Sequence, residues 1–207
     1  NSICAILTEQ TDEPCVFTFA SPTKVLGAQL LVETMLVMAA CGIKKVSYLT
    51  VNSDTVPVIN RAARRFIESV TGMELTYERN TTSKELINDA IQRNKAAGYH
   101  TVISSTYHSM ERVLEACHIG GHVIDCHIND EPQKLVTDKF KTLSEELPEE
   151  ATVEEVNMEE FSANIQRYAT RVYSFTATPK HTYADDGIGM QNEKRFGPVV
   201  YELSEKE

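Results

Sequence analysis

The sequence predicts an α/β fold, a mostly parallel sheet with helices on both faces in a three-layer arrangement. Three observations predict it. Short apolar runs rich in β-branched and aromatic residues recur along the chain. Longer stretches with apolar residues at helical spacing separate them, and strands joined by helical crossovers pair in parallel and are covered on both faces. At 207 residues the chain is long enough for one sizeable α/β core, or at most two small domains.

Taken in order, residues 2–10 place Ile3, Ile6 and Leu7 on one face and predict a short helix, which Thr11-Asp12-Glu13-Pro14 breaks. Residues 15–20, CVFTFA, predict a buried strand. Ser21-Pro22-Thr23-Lys24 then turns into a helix through Ala40, with Leu26, Leu30, Leu31, Met35 and Met38 as its apolar face and Cys41-Gly42 as its stop. Residues 43–51 predict a strand, and 58–70 a helix carrying Arg61, Arg64 and Arg65. These arginines read as a solvated face, with a phosphate-contacting patch as the lesser alternative.

A short strand is expected at 75–78, then a helix opened by Ser83 and running to Ala97 with Leu86, Ala90 and Ile91 apolar. Residues 101–105 are a strand, followed by Thr106-Tyr107-His108-Ser109 and a short helix to Cys117. The stretch GGHVIDCHINDEPQ, from Gly120 to Gln133, is a strand that ends in the acid pair Asp130-Glu131. Helices are expected within 135–147 and 161–168, and a last clear strand at 171–177. The region 181–192 reads as a loop, and 199–203 as a short strand.

A hydrophobic fraction of 42% describes a globular protein, and no apolar run approaches the ~18 residues that a membrane span needs. No basic-then-apolar leader opens the sequence, so an intracellular location, cytoplasmic or nuclear, is expected, with no membrane partner. The five cysteines, Cys4, Cys15, Cys41, Cys117 and Cys126, are scattered and mostly set in apolar runs, which fits buried thiols in a reducing compartment. The formal charge is -10, but 144–160 holds eight Glu and no Lys or Arg, so that segment carries -8 and the rest -2. The segment is expected to be a solvated acidic insertion, and charge neither excludes nor suggests a nucleic-acid partner.

Four strand ends share one pattern, an apolar strand followed by a polar cluster: Ser21-Pro22-Thr23-Lys24, Thr106-Tyr107-His108-Ser109, Asp130-Glu131-Pro132-Gln133 and Thr176-Ala177-Thr178-Pro179. In a parallel sheet all four emerge on one edge, where ligands bind, so they can build a single site.

On these residues the chain resembles the first RecA-like domain of superfamily 2 helicases and translocases, from about residue 2 to 203. VFTFASPTKVLGAQ is similar to motif Ia of that family, VISSTYHSM to its next nucleic-acid-contacting motif, DEPQ to motif II (the Walker B box) and SFTATPK to motif III. FGPVVYELS resembles the segment leading towards the second domain. The resemblance implies a RecA-like, P-loop NTPase-type domain over 1–203, with 144–160 inserted and 204–207 leading towards a second RecA-like domain. It implies ATP and Mg2+ as cofactors and a nucleic-acid partner, DNA ahead of RNA. Asp130 would bind the magnesium of the nucleotide and Glu131 would activate the hydrolytic water. Ser2, Gln133, Thr176 and Thr178 would serve the nucleotide side, the two threonines linking ATP state to strand movement. Pro22, Thr23, Lys24, Thr106, Tyr107 and His108 would lie along the nucleic-acid track.

The chain also departs from the family. It contains no G-x-x-x-x-G-K-[ST] phosphate loop; Asn1 and Ser2 stand where the loop's last two residues would fall. Nucleotide binding by this stretch alone is therefore expected to be weak. Gln133 replaces the usual histidine of motif II, and Thr176 the usual serine of motif III.

Three rival readings use the same residues. A degenerate RecA-like fold could act as a binding or scaffolding module without catalysis. Asp125, Asp130 and Glu131 could hold a metal in an unrelated hydrolase or nuclease. Cys117, His118, His122, Cys126 and His127 could bind a metal, although they contain no C-x-x-C pair or second knuckle.

Overall fold

Among the described residues ten named elements follow one another, strand and helix alternating as far as the fifth strand. They are β1 (Val16–Ser21), α1 (Lys24–Ala40), β2 (Lys45–Val51), α2 (Arg61–Thr71), β3 (Glu74–Tyr77), α3 (Lys84–Ala96), β4 (His100–Thr106), α4 (Tyr107–Gly120), β5 (Cys126–Asp130) and β6 (Val172–Phe175). The structure is a computed structural model that describes residues 13–52, 59, 61–130, 164–176 and 198, and of Lys24 the backbone alone. The expected helices at 2–10 and 135–147, the acidic insertion at 144–160, the loop at 181–192 and the strand at 199–203 lie outside the described residues.

The strands form a six-stranded sheet in the order β3-β2-β4-β1-β5-β6, and every neighbouring pair is parallel. Side-chain alternation divides the strands between two cores. Phe17 and Phe19 of β1, Val46 and Tyr48 of β2, Val102 of β4 and Cys126 and Ile128 of β5 face one side, where Leu31, Met35 and Met38 of α1 and Ile67 of α2 cover them. Val16 and Ala20, Leu49 and Val51, and Ile103 face the other side, under Ile87, Ala90 and Ile91 of α3 and Tyr107, Met110, Val113, Leu114 and Cys117 of α4. The architecture is thus a three-layer α/β sheet, as expected from the alternation, and of the RecA-like, P-loop NTPase type that the resemblance implied. No helix among the described residues is long and apolar enough to cross a membrane.

Several boundaries differ from the expectation for local physical reasons. The helix after β4 does not stop at Cys117 but continues to Gly120, because Gly121, at φ 62°, supplies the left-handed residue that closes it. The two glycines therefore end a helix rather than open a strand. On α3 the buried stripe runs through Ile87, Ala90, Ile91 and Asn94, while Leu86 is 47% exposed. Ser83 caps α3, its hydroxyl accepting from the Leu86 amide at 3.3 Å. The helix expected over 58–70 is observed as Arg61–Thr71. There Arg64 pairs with Glu68 at 3.2 Å and donates to the Leu75 carbonyl, which ties it to the fold, while Arg61 and Arg65 are exposed.

Candidate functional site

Because every strand runs the same way, the carboxyl ends of β1, β4, β5 and β6 reach one edge of the sheet. The register sets their level: Ser21 faces Thr106, Ala20 faces both Ser105 and Asn129, and Asp130 faces Phe175. Asp130 therefore ends its strand level with Ser21 and Thr106, and Thr176 follows immediately after Phe175 on the neighbouring strand. In lateral order the edge reads Thr106, Ser21, Asp130 and Thr176. The structure brings together the described members of all four polar clusters.

Two of these clusters are strand-to-helix junctions closed by a threonine cap. Thr23 is exposed, and its Oγ1 accepts from the Leu26 amide at 3.3 Å, while Ser21 Oγ donates to the Thr23 carbonyl at 2.8 Å. Thr106 is half-buried, and its Oγ1 accepts from the Ser109 amide at 3.4 Å. Both hydroxyls thus satisfy amide donors that a helix start leaves open, and α1 and α4 begin from neighbouring strands at this edge, on opposite faces of the sheet. Pro22 is half-buried and His108 exposed, and Lys24 is the first residue of α1.

Tyr107 departs from the expectation of a side chain along a nucleic-acid track. It is 2% exposed, opens α4 rather than standing in a loop, and packs in the core beneath α3 and α4. Its hydroxyl donates to the backbone carbonyl of Asp130 at 2.5 Å. The reach crosses β1, which lies between β4 and β5. Two strand spacings make that about 10 Å.

Asp130 itself is half-buried at the end of β5, and Thr176 is half-buried just beyond β6. Glu131, Gln133, Thr178 and Ser2 lie outside the described residues.

Beneath the edge, on the α4 side of the sheet, runs a buried polar ladder that the sequence did not bring to notice. Thr18 Oγ1 lies 2.7 Å from His127 Nδ1, His127 Nε2 lies 3.0 Å from Asn129 Oδ1, and Asn129 Nδ2 donates to Ser174 Oγ at 3.4 Å. Since Nδ2 is the donor to Ser174, Oδ1 is the acceptor of Nε2–H. The Thr18 hydroxyl then donates to a bare Nδ1. Burial holds the His127 imidazole down to about 4, with the Asn129 bond acting weakly the other way, so the ring is neutral near pH 7. The signal for this ladder was present: His127 and Asn129 are two residues apart on one strand and so share a face.

The rival arrangements come apart. Asp125 sits at the opposite end of β5, where its Oδ2 accepts from the Val16 amide at 2.7 Å. Five strand residues put it roughly 17 Å from Asp130, so the two cannot share a metal. Cys117 is buried in the α4 core, Cys126 and His127 face opposite sides of the sheet, His118 bonds Tyr168 at 2.9 Å, and His122 bonds Asn88 at 2.9 Å. Among the described residues no group of three potential ligands could hold a metal ion.

These features define the class: an α/β domain of P-loop NTPase type whose polar strand ends converge at the carboxyl edge of the sheet. The structure is similar to that of a nuclease-deletion mutant of the Type ISP restriction-modification enzyme LlaGI in complex with a DNA substrate mimic, at a TM-score of 0.62 and 19% identity. That similarity covers 97% of this chain and 14% of the other, so the chain spans about one seventh of that protein's length. More distant similarities are to a de novo designed protein with a P-loop NTPase fold (TM-score 0.39, 9% identity, 80% of this chain and 84% of that one) and to the signal recognition particle receptor FtsY from Elizabethkingia anophelis (TM-score 0.41, 12% identity, 94% and 61%). The first supports the fold, and the other two are too distant to bear on function. No protein-family model and no curated protein matches the chain.

Proposed function

We propose that this chain is the first RecA-like domain of an ATP-dependent nucleic-acid helicase or translocase, acting on DNA. One observation carries the reading: Asp130 ends β5 at the carboxyl edge, level with Ser21 and Thr106 on one side and next to Thr176 on the other. In this reading the acid strand end lies between a side that would contact the nucleic-acid strand and a side that would respond to the nucleotide.

The donor chemistry fits magnesium, a hard cation that takes oxygen ligands and is commonly held through one or two carboxylates together with substrate phosphates. In this reading Asp130 supplies the carboxylate, and Glu131, the next residue, polarises the attacking water. When bound, Mg2+ neutralises charge on the transferred phosphoryl group. The amino ends of α1 and α4 favour anions, so Thr23, Lys24, Thr106 and His108 suit backbone phosphates rather than base edges. Thr176 and Thr178 follow β6, and their hydroxyls would report the state of the nucleotide to the acid strand. A second RecA-like domain completes the motor in this proposal. The DNA substrate mimic bound by the LlaGI variant supports DNA as the track.

The test is nucleotide turnover by the intact protein, with and without DNA. DNA-stimulated ATP hydrolysis that Asp130→Ala abolishes is the expected result. DNA binding without any turnover would instead support the non-catalytic module.

A further inference from the structure

The outer face of α2 combines unpaired cations with an exposed ring. Arg61, Ala62, Arg65, Phe66, Ser69 and Val70 are all exposed. Helical spacing sets Arg61 and Arg65 in one row and Ala62, Phe66 and Val70 in the next. The helix buries Ile67 and leaves Phe66 66% exposed. Every carboxylate between residues 61 and 79 is already engaged: Glu68 by Arg64 at 3.2 Å, Glu78 by Arg93 at 2.7 Å and Glu74 by the Tyr99 hydroxyl. Arg61, Arg65 and the exposed Arg79 make no ion pair among the described residues. Three free guanidinium groups thus stand together in a chain whose formal charge is -10. Their place in the fold matters. Since β2 and β3 are parallel, the helix between them starts near the carboxyl edge, and Arg79 lies two residues past the end of β3 on that edge. In lateral order these strands come next after β4, and α2 covers the same face as α1.

We propose that Arg61, Arg65, Arg79 and Phe66 form a second contact surface for single-stranded nucleic acid, continuing sideways from the ends of β1 and β4. The proposal rests on the nucleic-acid reading of that edge and extends it to a part of the chain no motif pointed to. The guanidinium groups hold backbone phosphates by charge-assisted hydrogen bonds that read no sequence. Phe66 offers its face to an unstacked base, a contact open to every base. Duplex DNA keeps its bases inside, so the ring makes the surface prefer a single strand. Arg61 and Arg79 come from two different elements and both lie at the edge. That placement favours a strand crossing the edge over an acidic peptide laid along α2.

The experiment titrates the intact protein into labelled oligothymidine and into labelled duplex DNA, by fluorescence anisotropy over a series of salt concentrations. Wild type is compared with the triple variant Arg61→Gln, Arg65→Gln, Arg79→Gln and with Phe66→Leu. All four side chains are exposed, so melting temperatures should match. The triple variant should bind oligothymidine at least about tenfold more weakly, with the slope of log K against log salt shallower by about 2. Phe66→Leu should keep the wild-type slope and its duplex affinity but lose about fivefold or more on oligothymidine. Wild-type affinity and slope in the triple variant, or wild-type oligothymidine affinity in Phe66→Leu, overturns the surface and leaves the proposed function standing. Variants that keep DNA binding but lose binding to polyglutamate assign the face to an acidic protein partner, which also overturns it. A wild-type protein that binds neither DNA overturns the underlying reading, and the surface falls with it.

Discussion

Thr18 donates its hydroxyl to His127 Nδ1 at 2.7 Å across the seam between β1 and β5, and the ring passes the chain of bonds on to Asn129 and Ser174. The four residues stitch three adjacent strands just below the edge that carries Asp130. A buried histidine with both nitrogens occupied fixes one tautomer and, with it, the register of the strands it joins.

This ladder makes stability depend on pH in a defined window. Burial lowers the His127 pKa from 6.5 to about 4 in the fold, so between those values the unfolded chain binds the extra proton. Stability is full above pH 6.5, falls as pH drops towards 4 and levels off below it, a loss on the order of 3 kcal/mol for this group. Urea unfolding at pH 7, 5.5 and 4.5 measures it. His127→Leu should be less stable at pH 7 by about 1–3 kcal/mol, since Thr18 and Asn129 lose their partner, but it should show a shallower pH dependence. An unchanged slope would assign the acid sensitivity to other groups.

The thiols should divide sharply by burial. Burial pushes Cys117 and Cys126 up to about 12, and burial together with Asp125 and Glu13 pushes Cys15 up to about 11. The reactive thiolate is thus suppressed at all three. Alkylation of the native protein at pH 8, mapped by peptide, should modify the half-buried Cys41 and reach Cys15, Cys117 and Cys126 only after denaturation. Rapid native labelling of Cys117 would contradict the packing of α4.

The end of α4 offers a test of local geometry. Gly121 sits at φ 62° with open space around its Cα, so Gly121→Ala should cost about 1–2 kcal/mol through backbone strain alone. At Gly120 a Cβ would run into the Asn88 and His122 side chains, which are joined at 2.9 Å. Gly120→Ala should therefore loosen the tie between α3 and the turn after α4, which thermal unfolding together with the His122 ring signals in NMR can follow. A Gly121→Ala variant as stable as wild type would show that the left-handed cap is not required.

The fold was legible because its signals are local and repeated. CVFTFA reads as a buried strand from its own residues, and α1 reads as a helix from Leu31, Met35 and Met38. The convergence of four strand ends was legible too, since parallel pairing leaves them no other place to go. What the sequence hid depends on contacts far apart in the chain. Tyr107 looked like a loop residue because Thr106-Tyr107-His108-Ser109 is polar on average, yet the phenol turns inward to a carbonyl 23 residues away. Asp125 looked like a partner for Asp130 because only five positions separate them, and a strand converts that nearness into opposite ends of the sheet.

The central claim is that Asp130 and Glu131 form a hydrolytic pair driven by a nucleic-acid strand. The most direct measurement is steady-state ATP hydrolysis by the intact protein at saturating duplex DNA, wild type against Glu131→Gln. The predicted result is a fall of at least ~100-fold in kcat, in the range expected when general-base assistance is removed, with DNA binding retained. Wild-type turnover in Glu131→Gln would contradict it.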